Sequence, residues 1–158
     1  MFSDELTKKL AAFVRRIGID VRAKALASRT FLPGIEIRDG AILVDESRLT
    51  YPGDILHEAG HIAVSDPATR NTAPISSEPG DEMAATAWSY AAACKLEIDP
   101  AIVFHSGFKG GGPNLVENFT AGRYIGVPML HWYGMSIEPR QAIAAGLDPY
   151  PHMLRWLR

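Results

Sequence analysis

The chain has one cysteine, Cys94, in 158 residues. A disulfide framework within the chain is therefore excluded, and so is a zinc site built on thiolates. Cys94 ends the run Ala91-Ala92-Ala93-Cys94, where a small buried side chain is expected. Neither sign of charge dominates: 16 Lys and Arg stand against 18 Asp and Glu, a net charge of −2. There is no long basic stripe, so nucleic acid is not an expected partner. No apolar stretch approaches the ~20 residues of a membrane span. The start, Met1-Phe2-Ser3-Asp4-Glu5, is acidic and lacks a basic region followed by an apolar run. No signal peptide is read there, and a cytoplasmic location is expected. Internal repeats and long linkers are also missing, so residues 1–158 are expected to form one domain with a real core.

What the chain does contain is a run of alternating structural signals. Residues 4 to 17 read as an amphipathic helix, with Leu6, Leu10, Phe13, Val14 and Ile17 on one face. Gly18 ends it, and Asp20 is read as the start of a short second helix through Ala27. Ile35-Glu36-Ile37-Arg38 and Ala41-Ile42-Leu43-Val44 flank Asp39-Gly40, a strong hairpin signal. Residues 66 to 80, rich in Pro, Ser, Thr and Asn, read as a loop, and Asp81 to about Leu96 as a helix. Asp99-Pro100 opens a short helix, residues 105 to 113 form a glycine-rich loop, and Asn114 to Tyr124 has helical character. Pro139 suits the first residue of a helix to Ala145, and Pro151 that of a last one over Met153 to Leu157.

The most informative residues are His57-Glu58-Ala59-Gly60-His61, an HExxH pattern. On a helix, positions four apart lie about 40° apart around the axis and about 6 Å along it. Two imidazoles at that spacing can converge on one metal ion, while Glu58 points off their line. A zinc hydrolase needs that set: two neutral nitrogen donors, an acidified water and a carboxylate to take its proton. The competing reading is a helix that carries two histidines on a polar face by chance. The context argues for the site. Pro52-Gly53-Asp54 is a helix start, Ile55, Leu56, Ala59, Ile62 and Ala63 supply an apolar side, and Asp66-Pro67 stops the segment.

A catalytic zinc usually takes three protein ligands. A third histidine in the HExxHxxGxxH pattern is excluded, because Val64 and Pro67 stand where Gly and His would be. The alternative is a carboxylate from a neighbouring helix. Glu82 is the first candidate, with twenty residues between it and His61, and Asp81 and Glu78 are rivals. Small residues at Ala85 and Ala87 would let two helices come close. As first-turn acids, all of these could simply favour the helix dipole.

The hairpin, the HExxH helix and the following Glu82-Met83-Ala84-Ala85-Thr86-Ala87-Trp88 together resemble the gluzincin core of the ImmA/IrrE-type metallopeptidases. The resemblance covers residues 34 to about 95, with Ala85 and Trp88 at the family's small and aromatic positions. It implies a zincin-like fold, Zn2+ bound by His57, His61 and Glu82, and Glu58 as general base. The expected fold is α+β: a mainly helical body with a small antiparallel sheet and the HExxH helix packed on a Glu-bearing helix. The expected function is zinc-dependent hydrolysis of a peptide or protein substrate. The alternatives are a non-catalytic, zinc-stabilised binding or regulatory module and a metal-free helical protein.

Charge developing on a tetrahedral intermediate needs a further donor. His105, followed by Ser106-Gly107 on a loop, is the leading candidate as a catalytic residue, ahead of Tyr124 and His131. Each could equally be structural. Lys109-Gly110-Gly111-Gly112 lacks the Gly-Lys-Ser/Thr ending of a phosphate loop, and its glycines suit a close backbone approach at a cleft rim. Trp132, Tyr133 and Trp156 are expected in the core or an interface, and an exposed surface from Pro128 to Met135 would support a homo-oligomer.

Overall fold

The computed structural model describes residues 1–76 and 78–158. The first helix, α1 (Glu5–Arg16), starts where Asp4 accepts a hydrogen bond from the Thr7 amide at 2.7 Å. Its apolar face buries Leu10, Phe13 and Val14, with Leu6 and Ile17 partly covered at its margins.

Three strands follow: β1 (Val21–Ala23), β2 (Ile35–Arg38) and β3 (Ala41–Val44). The hairpin forms as expected, with Ile35 opposite Val44 and Arg38 opposite Ala41. The segment after Asp20 is not a helix. Val21–Ala23 pairs parallel to β3, so the sheet is mixed, in the order β1-β3-β2, rather than antiparallel. The reason lies in β3, whose four residues are all buried. A strand covered on both faces sits at the centre of a sheet and needs a neighbour on each edge. Val21 and its flanking backbone supply the second one, with the Ile42 amide donating to Asp20 and Lys24 donating to Val44.

Helix α2 (Asp54–Val64) carries the HExxH residues and is more deeply placed than an amphipathic reading suggests: every residue except Glu58 is buried. Helix α3 (Pro79–Lys95) lies against it and begins with Pro79 in the first turn, where the missing N–H costs nothing. The two axes can come close because Gly60 faces the Ala85 backbone, and a Cβ on Gly60 would lie 2.8 Å from the Ala85 carbonyl oxygen. On its other side α3 buries Trp88, whose indole N–H donates to the Trp156 carbonyl at 2.9 Å. Cys94, near the end of α3, is partly rather than fully buried.

A 3₁₀ turn (Pro100–Ile102), capped by Asp99, leads to α4 (Gly112–Thr120), which stops short of Tyr124. Then come α5 (Val127–Trp132) and α6 (Pro139–Ala145). Within the Pro128–Met135 segment, Leu130 and Met135 are fully buried, while Pro128, Trp132 and Gly134 are exposed. The expected last helix, 153–157, is not formed. Its backbone donors go to distant partners instead: Leu154 to the Met135 carbonyl and Arg158 to that of Ala63. Trp156 thereby seats between Phe13 and Trp88, with ring centroids at 5.0 and 5.3 Å. The burial of these aromatic rings outweighs the weak local preference for one more helical turn. Among the described residues no helix is long and apolar enough to cross a membrane.

Candidate metal centre

His57 and His61 lie one turn apart on α2, and their Nε2 atoms are 3.1 Å from each other. Glu82, in the first turn of α3, meets both: Oε1 is 3.2 Å from His57 Nε2 and Oε2 is 2.9 Å from His61 Nε2. The close passage at Gly60 and Ala85 sets this meeting, since Glu82 lies three residues before Ala85 on the same side of α3. Both imidazoles are buried, and the Glu82 side chain is 43% exposed at the cleft mouth.

These three groups could hold a metal ion. The geometry provides a test. Ligands about 2.05 Å from a tetrahedral ion stand about 3.3 Å apart. The two Nε2 atoms, 3.1 Å apart, come close to that edge length, and each faces a different oxygen of Glu82, at 3.2 and 2.9 Å. Two imidazole nitrogens and a carboxylate, converging from two helices, make a donor set that could take a metal ion.

The rivals of Glu82 are placed elsewhere. Asp81 turns away and accepts a hydrogen bond from the Tyr133 hydroxyl at 3.0 Å. Glu78 is exposed at the N-cap of α3.

The electrostatics follow from burial and proximity. Hydrogen bonds from His57 and His61 hold the Glu82 carboxyl well below the usual carboxylate range. Burial pushes Glu58 up, against a downward pull from the two imidazoles. At His61 burial favours the neutral ring, but the hydrogen bond to Glu82 and the charge of Glu58 outweigh it, and its pKa rises. Asp54 is raised by burial, with the His105 hydrogen bond opposing.

The centre opens into a cleft of about 580 Å³. Glu58 lines it beside the two histidines, and Phe31, Leu32, Ile75 and Phe108 make an apolar wall. His105 also lines the cleft. Its Nε2 is engaged by Asp54 Oδ1 at 2.8 Å, and its Nδ1 is buried without a partner among the described residues. Neither nitrogen is therefore free to donate into the cleft as the structure stands. Tyr124 packs among Tyr90, Phe119 and Tyr150, and His131 Nδ1 accepts from the Glu138 amide at 3.2 Å; neither lines the cleft. Lys109 and Gly107 reach the rim, and Gly112 has the expected close approach, against the His105 carbonyl.

Three residues at the centre were not singled out for it by sequence: Tyr51, Asp54 and Phe108. Tyr51 stacks on the His105 ring at 3.6 Å and 7°. Phe108 packs edge-on to His57 at 4.8 Å. Only Asp54 carried a usable signal, lying three residues before His57 and so on the same helix face.

Comparison of the chain with protein-family models, with curated proteins and with solved structures finds no match.

Proposed function

We propose that this chain is a zinc-dependent hydrolase of the HExxH-plus-glutamate type, cleaving peptide bonds in a peptide or protein substrate. One observation carries the reading: His57, His61 and Glu82 converge within ligand distance of one another, with the non-ligand Glu58 beside them in an open cleft. The resemblance to the ImmA/IrrE-type metallopeptidases over residues 34 to 95 points the same way.

His57 and His61 would offer Nε2 lone pairs, and Glu82 a carboxylate oxygen, to the ion. When bound, zinc supplies Lewis-acid polarisation of a carbonyl and acidification of water. Glu58 takes the proton from the attacking water and returns it to the departing amine nitrogen. The apolar wall formed by Phe31, Leu32 and Phe108 would hold the substrate's side chains and exclude water from the reacting bond. His105 is assigned no proton transfer here. Stabilisation of negative charge by its ring would require Nδ1 to be uncovered at Gly107.

The test is Glu58→Gln, nearly isosteric and outside the ligand set. Zinc content and thermal stability should change little, while cleavage of a responsive peptide from a library should fall by a factor on the order of 10² or more. Cleavage undiminished in Glu58→Gln would refute the assigned base. A partner bound and never cut, with zinc retained, would favour a non-catalytic binding module.

A further inference from the structure

A metal-bound histidine is usually oriented by a hydrogen bond from its second ring nitrogen to a carboxylate or carbonyl. Here His57 Nδ1 is buried and has no acceptor among the described residues. The orientation of its ring must then come from packing, and the rings that pack on it are His61 of the same helix, at 4.7 Å, and Phe108 from outside it, at 4.8 Å.

Phe108 is itself held through a closed circuit of contacts. Its amide donates to the His105 carbonyl at 2.9 Å, so His105 and Phe108 are the two ends of one turn. The His105 end is fixed from three directions. Its Nε2 meets Asp54 Oδ1 at 2.8 Å, its ring lies on Tyr51, and its carbonyl is backed by Gly112, where a Cβ would collide with it. Asp54 sits in the first turn of α2 and is 2% exposed. It belongs to the same helix as His57, one turn earlier. The path runs from α2 through Asp54 to His105, across the turn to Phe108, and back onto His57.

A carboxylate buried this deeply with a single partner is an expensive way to fasten a loop, and its Oδ2 has no partner among the described residues. An apolar pair would fasten the loop at less cost. What the polar pair adds is direction, since a hydrogen bond fixes the position of the turn more narrowly than side-chain packing does. We propose that Asp54 and His105 are a positioning pair for the metal ligand His57, acting through Phe108. The inference rests on the metal-centre reading and adds a residue set to it.

The experiment uses the full chain, stripped of metal and titrated with Zn2+ against a chromophoric chelator and with Co2+ by visible absorption. The cobalt spectrum reports ligand geometry, which a purely structural contact would leave unmoved. Asp54→Ala and Phe108→Ala should each weaken zinc binding about 10-fold or more, the scale of outer-shell losses, and shift the cobalt bands. The double variant should lose little more than the worse single one, because both act on one path. Asp54→Asn, which keeps an acceptor for His105 Nε2, should recover most of the affinity. If Asp54→Ala does not fold, Phe108→Ala and Asp54→Asn still decide. Wild-type zinc affinity and cobalt spectrum in Phe108→Ala, or in Asp54→Ala despite lowered thermal stability, would overturn the positioning role alone. Failure of the wild-type chain to bind either metal would overturn the metal-centre reading and this inference with it.

Discussion

Replacing Gly60 by alanine sets two effects of opposite sign against each other. Inside an exposed helix the change would stabilise by about 1 kcal/mol, because glycine loses more backbone freedom on folding. In α2 the new Cβ would stand 2.8 Å from the Ala85 carbonyl oxygen, 3.2 Å from its Cα and 3.3 Å from its carbonyl carbon. All three are backbone atoms and cannot swing away. Restoring an ordinary 3.4 Å contact to the oxygen requires α3 to withdraw by 0.6 Å, the difference between 3.4 and 2.8 Å. Overpacking of this kind costs about 1–3 kcal/mol, so the propensity gain is cancelled or outweighed, with a net loss of about 1 kcal/mol. In a domain of this size that lowers Tm by about 2–4 °C. Glu82 moves with Ala85, and metal sites tolerate only about 0.2 Å of error in ligand distance. Zinc affinity should therefore drop about 10-fold or more, out of proportion to the stability loss. Thermal melts of the metal-free protein and chelator competition measure the two effects separately. Gly80→Ala is the control, since its Cβ would meet only the mobile end of Met129 at 3.6 Å. A Gly60→Ala variant that melts higher than wild type and binds zinc unchanged would refute the claim that this contact sets the ligand geometry.

Glu82→Ala should abolish tight zinc binding, while Asp81→Ala should cost only its hydrogen bond from Tyr133, about 1 kcal/mol in a melt, and Glu78→Ala nothing measurable. The reverse ranking in a zinc titration would move the ligand role to Asp81. Acid stability gives an independent check on the cleft rim. Ser47 Oγ and the Leu26 amide donate to Asp45 and hold its pKa below the ordinary value. A depressed carboxylate contributes stability above the unfolded range, near pH 4, and loses it as pH falls through the lower folded value. Asp45→Asn should therefore flatten the acid limb of a stability–pH curve measured by urea melts on metal-free protein. An unchanged acid limb would show that this carboxylate does not secure the segment leading to Phe31.

The hairpin was legible because its signals are local. Asp39 and Gly40 both adopt positive φ, 51° and 73°, as the tight turn demands, and the flanking strands alternate or run apolar as their burial requires. The two helices that bring His57, His61 and Glu82 together were legible for the same reason. What was not legible depends on partners remote in sequence. Val21–Ala23 is too short to show a period, and Asp20 looks like a helix cap until β3 offers its free edge. The segment after Pro151 has a helix start but spends its donors on Met135 and Ala63. His105 stood out as a residue type on a loop, yet its engagement by Asp54, 51 positions earlier, could not be read from spacing. Phe108 and Tyr51 had no signal at all, because what they do depends on which rings they touch.

The central claim is that His57, His61 and Glu82 form one metal centre. The most direct measurement is elemental analysis of gently purified, untagged protein, alongside His61→Ala and Glu82→Ala prepared in the same way. The account predicts about one zinc per chain in the wild type and little or none in either variant. Wild-type protein that carries no transition metal and takes up none when zinc is supplied would contradict it.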